Sequence, residues 1–66
     1  MPLGEWNIRV TARIKDRNGV WHEGCQGIGG SESQAMCDLR EQYSYLGIQD
    51  IVVTRVQRNE NGRWVD

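Results

Sequence analysis

The ten residues from Trp6 to Lys15, WNIRVTARIK, alternate without a break between apolar and polar positions, and no other feature of the chain narrows its fold as far. Trp6, Ile8, Val10, Ala12 and Ile14 fall on one side, and Asn7, Arg9, Thr11, Arg13 and Lys15 on the other. A period of two matches the pleat of a strand, whose successive side chains leave opposite faces. The segment therefore predicts a half-buried strand with one apolar and one cationic face. Such a strand must hide its apolar side against a second layer.

The turn residues that follow supply a partner strand. Asn18-Gly19 marks a hairpin, because glycine, and asparagine nearly as readily, tolerates the positive φ of tight turns. The returning strand covers about Val20 to Ile28 and has two registers. If Gly19 makes a one-residue bulge, Val20, His22, Gly24, Gln26 and Ile28 turn inward while Trp21 and Glu23 face out. A plain two-residue turn instead buries Trp21, Glu23 and Cys25, and an unpaired carboxylate in the core is costly, so the bulged register is preferred.

Gly29-Gly30 breaks this strand and SESQ opens a helix. Ser31 suits the N-cap, Gln34 can return the hydrogen bond as in a capping box, and Glu32 suits the positive end of the helix dipole. The helix is expected over 32–46, with Gly47 in the left-handed position that ends it. Ala35, Met36, Leu39, Tyr43 and Leu46 form its apolar stripe, while Cys37, Asp38, Glu41, Ser44 and Tyr45 look to water. The β-branched run DIVVTRVQR then reads as a third strand, apolar on both faces and hence central. Residues 59–62 make a second turn, and Arg63 to Asp66 return as a short fourth strand.

The order is β-β-α-β-β. A right-handed crossover through the helix places the third strand beside the first, which gives an antiparallel sheet in the order two, one, three, four. The fold class is α+β, a two-layer sandwich with the helix on one face and the other face open. A chain of 66 residues holds one domain, here 1–66 with residues 1–5 as a loose lead-in. At this size only about 60% of the unfolded surface is buried, so the core must be lean.

Several function classes drop out on composition. No apolar run approaches the roughly 18 residues that cross a bilayer, and the first residues lack the basic and apolar regions of a secretory leader, so a cytosolic protein is expected. Eight Lys and Arg against nine Asp and Glu leave a net charge of -1, without the basic excess of a free-standing nucleic-acid binder. Catalysis needs a nucleophile, a base and an orienting group within reach, and the chain offers one histidine, His22, and little length to enclose a cavity. His22, Cys25 and Cys37 have no CxxC or HxxxH spacing for a metal. The glycines of GCQGIGG complete no phosphate-binding pattern and serve better for close packing and for the turn into the helix. No cofactor is expected. On helical phase Cys37 lies away from the sheet and Cys25 on the strand before it, so two free thiols are expected, with Cys37 able to link two chains in vitro.

The candidate site lies on the open face. Arg9, Arg13 and Lys15 share it on the first strand. Arg55 or Arg58 and Arg63 can extend it, while Glu32, Asp38 and Glu41 gather on the helix, so the two faces are expected to differ in sign. In both RNGVW and ENGRW a tryptophan follows the turn glycine by two residues, which is expected to show the rings of Trp21 and Trp64 at comparable heights. Half-exposed tryptophan among arginines is a common interface anchor. Trp21 reads equally as such an anchor or as a cap on a small core, and Trp64 reads better as a cap over the second apolar side of the third strand. The same face offers a phosphate backbone or an unstacked base a second kind of platform. Ile51 or Val53 on an exposed face could also form a homodimer seam.

With GSESQAMCDL, Gly47, IVVTRV and NGRWVD in place, the second half of the chain resembles small phage-encoded anti-CRISPR proteins that act on type I surveillance complexes. There a Ser-Gln-Ala helix start, a helix-ending glycine and an Asn-Gly-x-Trp hairpin occur in a similar order. The first hairpin, with its own Asn-Gly-Val-Trp, departs from that pattern. The resemblance implies a non-enzymatic inhibitor that binds a ribonucleoprotein by surface contact. The expectation is thus a binding module, with Arg9, Arg13, Lys15, Trp21, Arg55, Arg63 and Trp64 as its contacts. The partner is a protein, or nucleic acid directly or through a ribonucleoprotein.

Overall fold

The computed structural model describes residues 7–66, in which β1 (Ile8–Lys15), β2 (Trp21–Gly29), α1 (Glu32–Gln42), a 3-10 turn (Ser44–Leu46), β3 (Asp50–Glu60) and β4 (Arg63–Val65) follow one another. The expected inward position of Trp6 and the lead-in at 1–5 lie outside the described residues. The sheet runs β2-β1-β3-β4 with each neighbouring pair antiparallel, an α+β sandwich of the layout read from the sequence. The alternation of β1 is realised directly: Val10, Ala12 and Ile14 are buried, and Arg9, Thr11, Arg13 and Lys15 are half-buried on the opposite side. Ala12, Ile14, Cys25 and Leu39 form the centre of the core, with Met36, Tyr43, Leu46, Ile48 and Ile51 packed around it.

The two Asn-Gly turns have different geometries. In the first, the Asp16 N–H donates to the Val20 carbonyl at 2.9 Å and the Gly19 N–H to the Asp16 carbonyl at 3.0 Å, with Gly19 at φ +82°. This is a three-residue loop closed by a glycine bulge. In the second, Asn61 and Gly62 both have positive φ, and Glu60 pairs directly with Arg63, as in a two-residue primed turn.

Asp16 organises the first turn from within. Its Oδ1 accepts from the Asn18 N–H at 2.8 Å and the Val20 N–H at 3.0 Å, and its Oδ2 lies 2.8 Å from His22 Nε2. The His22 hydrogen bond, then the Val20 N–H, hold the Asp16 carboxyl below the usual carboxylate range, against an opposing effect of burial. A carboxylate with a depressed folded pKa contributes stability above its unfolded pKa and loses that contribution as pH falls through the folded value. Asp16→Asn is therefore expected to be less stable than the wild type at neutral pH, with the difference closing as pH drops below about 4. Urea unfolding at neutral and acidic pH measures this, and a difference independent of pH would contradict it.

Strand β2 combines both of the registers considered for it. Ile14 pairs with His22 and Lys15 with Trp21, so His22 points inward and Trp21 and Glu23 outward, as the bulged turn requires. Beyond this point the phase reverses: Ala12 pairs with Cys25, Val10 with Gly27 and Ile8 with Gly29. Cys25, Gly27 and Gly29 are buried, Gly24 and Gln26 are exposed, and Ile28 falls on the open face, which corrects the expectation that Gly24, Gln26 and Ile28 face the core. Val20, also expected inside, is 54% exposed. A second bulge at Gly24, with φ +70°, causes the reversal. It keeps Glu23 out of the core and still delivers Cys25 to it. The buried Cys25 thiol has its pKa pushed up by desolvation, Cys37 is exposed, and both are free.

The reversal also presents two glycines to the helix. A Cβ at Gly29 would stand 2.6 Å from the Ala35 nitrogen, and one at Gly27 would stand 2.7 Å from the Leu39 nitrogen and closer still to the Ala35 carbonyl oxygen. The helix thus rests backbone-close on β2. Ser31 caps it, its Oγ accepting from the Gln34 N–H at 3.2 Å, while Gln34 Oε1 accepts from the Gly30 N–H at 3.0 Å, one residue ahead of the expected capping-box partner. The α-helix stops at Gln42, short of the expected Leu46, and the path tightens into the 3-10 turn before Gly47 ends it in the left-handed region. Arg17 of the first turn donates to the Tyr45 carbonyl at 2.9 Å and to the Leu46 carbonyl at 3.3 Å, a cation on the last carbonyls of the 3-10 turn that follows the helix.

Asp38, expected to look to water, is half-buried and binds the sheet edge instead. Its Oδ2 accepts from the Ile28 N–H at 2.9 Å and from Gln42 Nε2 at 2.9 Å, and Gln42 Nε2 also donates to the Gln26 carbonyl at 3.0 Å. Two outward backbone groups of β2, the Ile28 N–H and the Gln26 carbonyl, are therefore occupied by helix side chains. The helix packs on β2 and, less extensively, on β1, and barely reaches β3.

Candidate functional site

Strand alternation decides which side chains share the face away from the helix. On β1 these are Arg9, Thr11, Arg13 and Lys15, and on β2 Trp21 opposite Lys15, followed after the bulge by Gln26 and Ile28. On β3, Asp50 pairs with Lys15, Val52 with Arg13, Arg55 with Thr11 and Gln57 with Arg9. Thr54 is an extra residue between Val53, which pairs with Ala12, and Arg55, and its hydroxyl donates to the Thr11 carbonyl at 3.2 Å. This bulge puts Arg55 on the open face and Arg58, opposite Ile8, on the other. On β4, Trp64 pairs with Asn59 and joins the open face. Arg63, paired with Glu60, alternates to the helix side with Arg58, which corrects its expected place at the rim of the site. Ile51 and Val53 also lie on the helix side, so the apolar residue that β3 adds to the open face is Val52.

Two arginine–tryptophan stacks define the surface. The Arg13 guanidinium carbon sits 4.7 Å from the Trp21 ring centroid, and that of Arg9 sits 4.7 Å from the Trp64 centroid. Each contact is worth about 0.5–1 kcal/mol at an exposed site. Each guanidinium is also held along a second edge. Arg13 Nε donates to Glu23 Oε2 at 2.8 Å, and Arg9 donates through Nε at 3.0 Å and Nη2 at 2.6 Å to Oε1 of the buried Gln57. The rings do not sit side by side. β3 runs antiparallel to β1, so the second hairpin lies beside the start of β1 and the first beside its end. Arg9 and Arg13 are four residues apart, roughly 13 Å along the strand.

The electrostatics differ from the expected segregation of sign. Glu23 binds Arg13, Asp66 Oδ1 lies 3.3 Å from Arg55 Nε, and Asp50 stands opposite Lys15. Arg9, Arg13, Lys15 and Arg55 thus share their face with Glu23, Asp50 and Asp66, which leaves a single cation in excess among the described residues. Cross-strand pairing across β2 and β3 brings the carboxylates to the cations. Gln57 and Glu23 are the members that sequence reasoning missed as parts of the site; their signal is face parity across three strands, readable only once both bulges are known.

A recess of about 290 Å³ lies where β1 begins and β3 ends, lined by Asn7, Ile8, Gly30, Arg58, Asn59 and Glu60. Arg58 Nη2 lies 3.2 Å from Glu60 Oε2 there, and none of the stacked residues reaches it. Among the described residues no helix is long and apolar enough to cross a membrane. The sequence matches no protein-family profile, no curated protein and no solved structure.

Proposed function

We propose that the chain is a non-catalytic binding module that works in the cytoplasm by docking its open sheet face on another protein, as an inhibitor of the phage type. The observation that carries this reading is the pair of arginine–tryptophan stacks on the uncovered face, each fixed by a second side chain. Planar, pre-ordered groups lose little conformational freedom on binding, and tryptophan and arginine dominate interface hot spots. The near-balance of charge favours a protein surface over a phosphate backbone, which is held chiefly by unpaired cations. The anti-CRISPR resemblance suggests a ribonucleoprotein as the larger target, met through its protein component.

Capture from nuclease-treated bacterial lysate by the tagged chain, with Trp21→Ala and Arg13→Glu variants alongside, tests the reading. A protein retained by the wild type after nuclease treatment, and bound less tightly by about 1–2 kcal/mol when Trp21 is removed, is the expected result. Recovery of RNA or DNA alone, with affinity falling log-linearly with salt, would replace a protein partner by a nucleic acid. Undiminished capture by Arg13→Glu would move the contact off this face.

A further inference from the structure

Of the asparagines Asn7, Asn18, Asn59 and Asn61, the second and the last are followed by glycine. An asparagine in that setting can lose its amide without an enzyme. The glycine backbone nitrogen, once it has given up its proton, attacks the asparagine Cγ. A nitrogen–carbon bond forms, the side-chain nitrogen leaves as ammonia, and a cyclic succinimide remains. Water then adds to either ring carbonyl and opens it, to aspartate or to isoaspartate, in which the main chain runs through the former side-chain carbon. Glycine matters because it has no side chain to keep its nitrogen from Cγ.

The two turns expose this chemistry unequally. Both asparagines are exposed, and in each turn the glycine N–H is engaged, Gly19 with the Asp16 carbonyl at 3.0 Å and Gly62 with Asn59 Oδ1 at 2.9 Å. The nitrogen must leave that bond to reach Cγ, so the reaction waits on local opening. Opening the first turn breaks a braced loop. Asp16 Oδ1 holds the Asn18 and Val20 N–H groups, Gln49 Nε2 donates to the Asp16 and Arg17 carbonyls at 2.8 and 2.9 Å, and the Arg17 N–H donates to the Leu46 carbonyl at 3.1 Å. The second turn leads into β4, three residues long at the margin of the sheet, and its glycine is held by an exposed side chain.

We propose that Asn61 is a self-modification site at which the folded chain ages, while Asn18, in the same dipeptide, is protected by its loop. The product acts on the surface described above. Isoaspartate adds a methylene to the main chain of a two-residue turn across which Glu60 and Arg63 pair directly. The register that sets Trp64 opposite Asn59 is then lost, and with it the stack that holds Arg9 4.7 Å from the Trp64 centroid. Aspartate, the other product, keeps the backbone length and tolerates the φ of +55° at this position. The Arg13–Trp21 stack lies at the other hairpin and stays. The open face thus carries one lasting anchor and one that decays with age, whatever it binds.

Incubation of the folded chain in mildly alkaline buffer, followed by trypsin and mass spectrometry, tests the assignment. Cleavage after Arg17, Arg58 and Arg63 places the two asparagines in different peptides. The peptide 59–63 is expected to gain the mass of an amide-to-acid exchange several times faster than the peptide that begins at Asn18, and the Trp64 indole resonance of isoaspartate-bearing chains to move to its unfolded position. In concentrated urea, where neither loop is folded, the two rates are expected to converge. Asn61→Gly keeps a residue suited to positive φ in the turn and is expected to leave the peptide 59–63 unmodified. Absence of conversion at Asn61, conversion of Asn18 at an equal or higher rate in the folded chain, an unchanged ratio in urea, or conversion in Asn61→Gly each overturns the proposal. A Trp64 resonance that stays in place in isoaspartate-bearing chains overturns its effect on the stack. These readings involve no partner, so they are separable from capture of a partner protein.

Discussion

Gly27→Ala is expected to destabilise the domain by about 1–3 kcal/mol or more, although it adds one methyl group to a strand and removes no contact. The reason is the closeness of the helix. The new Cβ would stand 2.7 Å from the Leu39 nitrogen and 2.8 Å from Leu39 Cβ, and would overlap the Ala35 carbonyl oxygen. Two of these atoms belong to helix backbone and cannot turn aside as a side chain can, so α1 must lift or tilt. Lifting it separates Leu39 from Ala12, Ile14 and Cys25, with which it forms the centre of the core, and uncovers Ala35; both helix residues are 0% exposed. In a domain of this size each kcal/mol lowers the melting temperature by roughly 4–8 °C, which thermal unfolding followed by circular dichroism resolves readily. Gly24→Asn is the informative companion. Nothing lies within 4 Å of a Cβ at Gly24, and its demand is a φ of +70°, which asparagine adopts more readily than other non-glycine residues. A large loss at position 27 with a small one at 24 separates crowding from backbone strain, and equal losses would contradict the account of Gly27.

The same pair of glycines shows how far the sequence could be read. The period of β1, the cap at Ser31, the left-handed Gly47 and the strand order all follow from local chemistry and from the handedness of crossovers, and the structure has them. The phase of β2 beyond Glu23 did not follow, since a glycine within a strand permits a bulge without requiring one. At Gly24 the bulge is selected by tertiary demands: Glu23 must stay out, Cys25 must go in, and small residues must meet the helix at 27 and 29. The bulge at Thr54 carries even less local signal, as threonine is an ordinary strand residue. It nevertheless decides that Arg55 joins the candidate face and Arg58 does not. Arg63 was misplaced for a related reason: its face is fixed by the tight Asn61-Gly62 turn relative to a strand whose own phase had already shifted. The arginines and tryptophans of the site were therefore legible mainly where they lay on β1 or next to the first turn.

Phase also governs the charge of the open face. Read strand by strand, Arg9, Arg13 and Lys15 form an uncompensated cationic row. Across strands, Glu23 and Asp50 become their neighbours, and Gln57 fixes Arg9 from below. A face that orders its arginines by internal hydrogen bonds and ring stacking presents shape more than net charge. For the proposed protein partner this favours recognition by fit, and it gives a reason for both tryptophans to sit half-exposed without calling on the core.

Leu39→Ala is expected to cost about 2–5 kcal/mol, against a total stability of roughly 3–10 kcal/mol for 66 residues at the usual 0.05–0.15 kcal/mol per residue. Leu39 and Ile14 are among the largest side chains with no exposure, and Leu39 is the one through which the helix reaches Ala12, Ile14 and Cys25. Small neighbours make the loss worse. Ala12, Ala35 and Cys25 have little side chain with which to fill the space, and Gly27 has none, so the cavity cannot collapse unless the helix moves toward a strand it already touches. Leu39→Met conserves volume and is expected to cost less than about 1.5 kcal/mol. Urea unfolding of the three proteins measures both effects. A Leu39→Ala variant that keeps its unfolding midpoint would mean that the helix is held chiefly by its polar ties, Ser31 at its start, Asp38 and Gln42 along the sheet edge and Arg17 on the 3-10 turn beyond it. Those ties are mostly exposed or half-exposed, where hydrogen bonds contribute about 1 kcal/mol or less each, and the buried leucine is expected to outweigh any one of them.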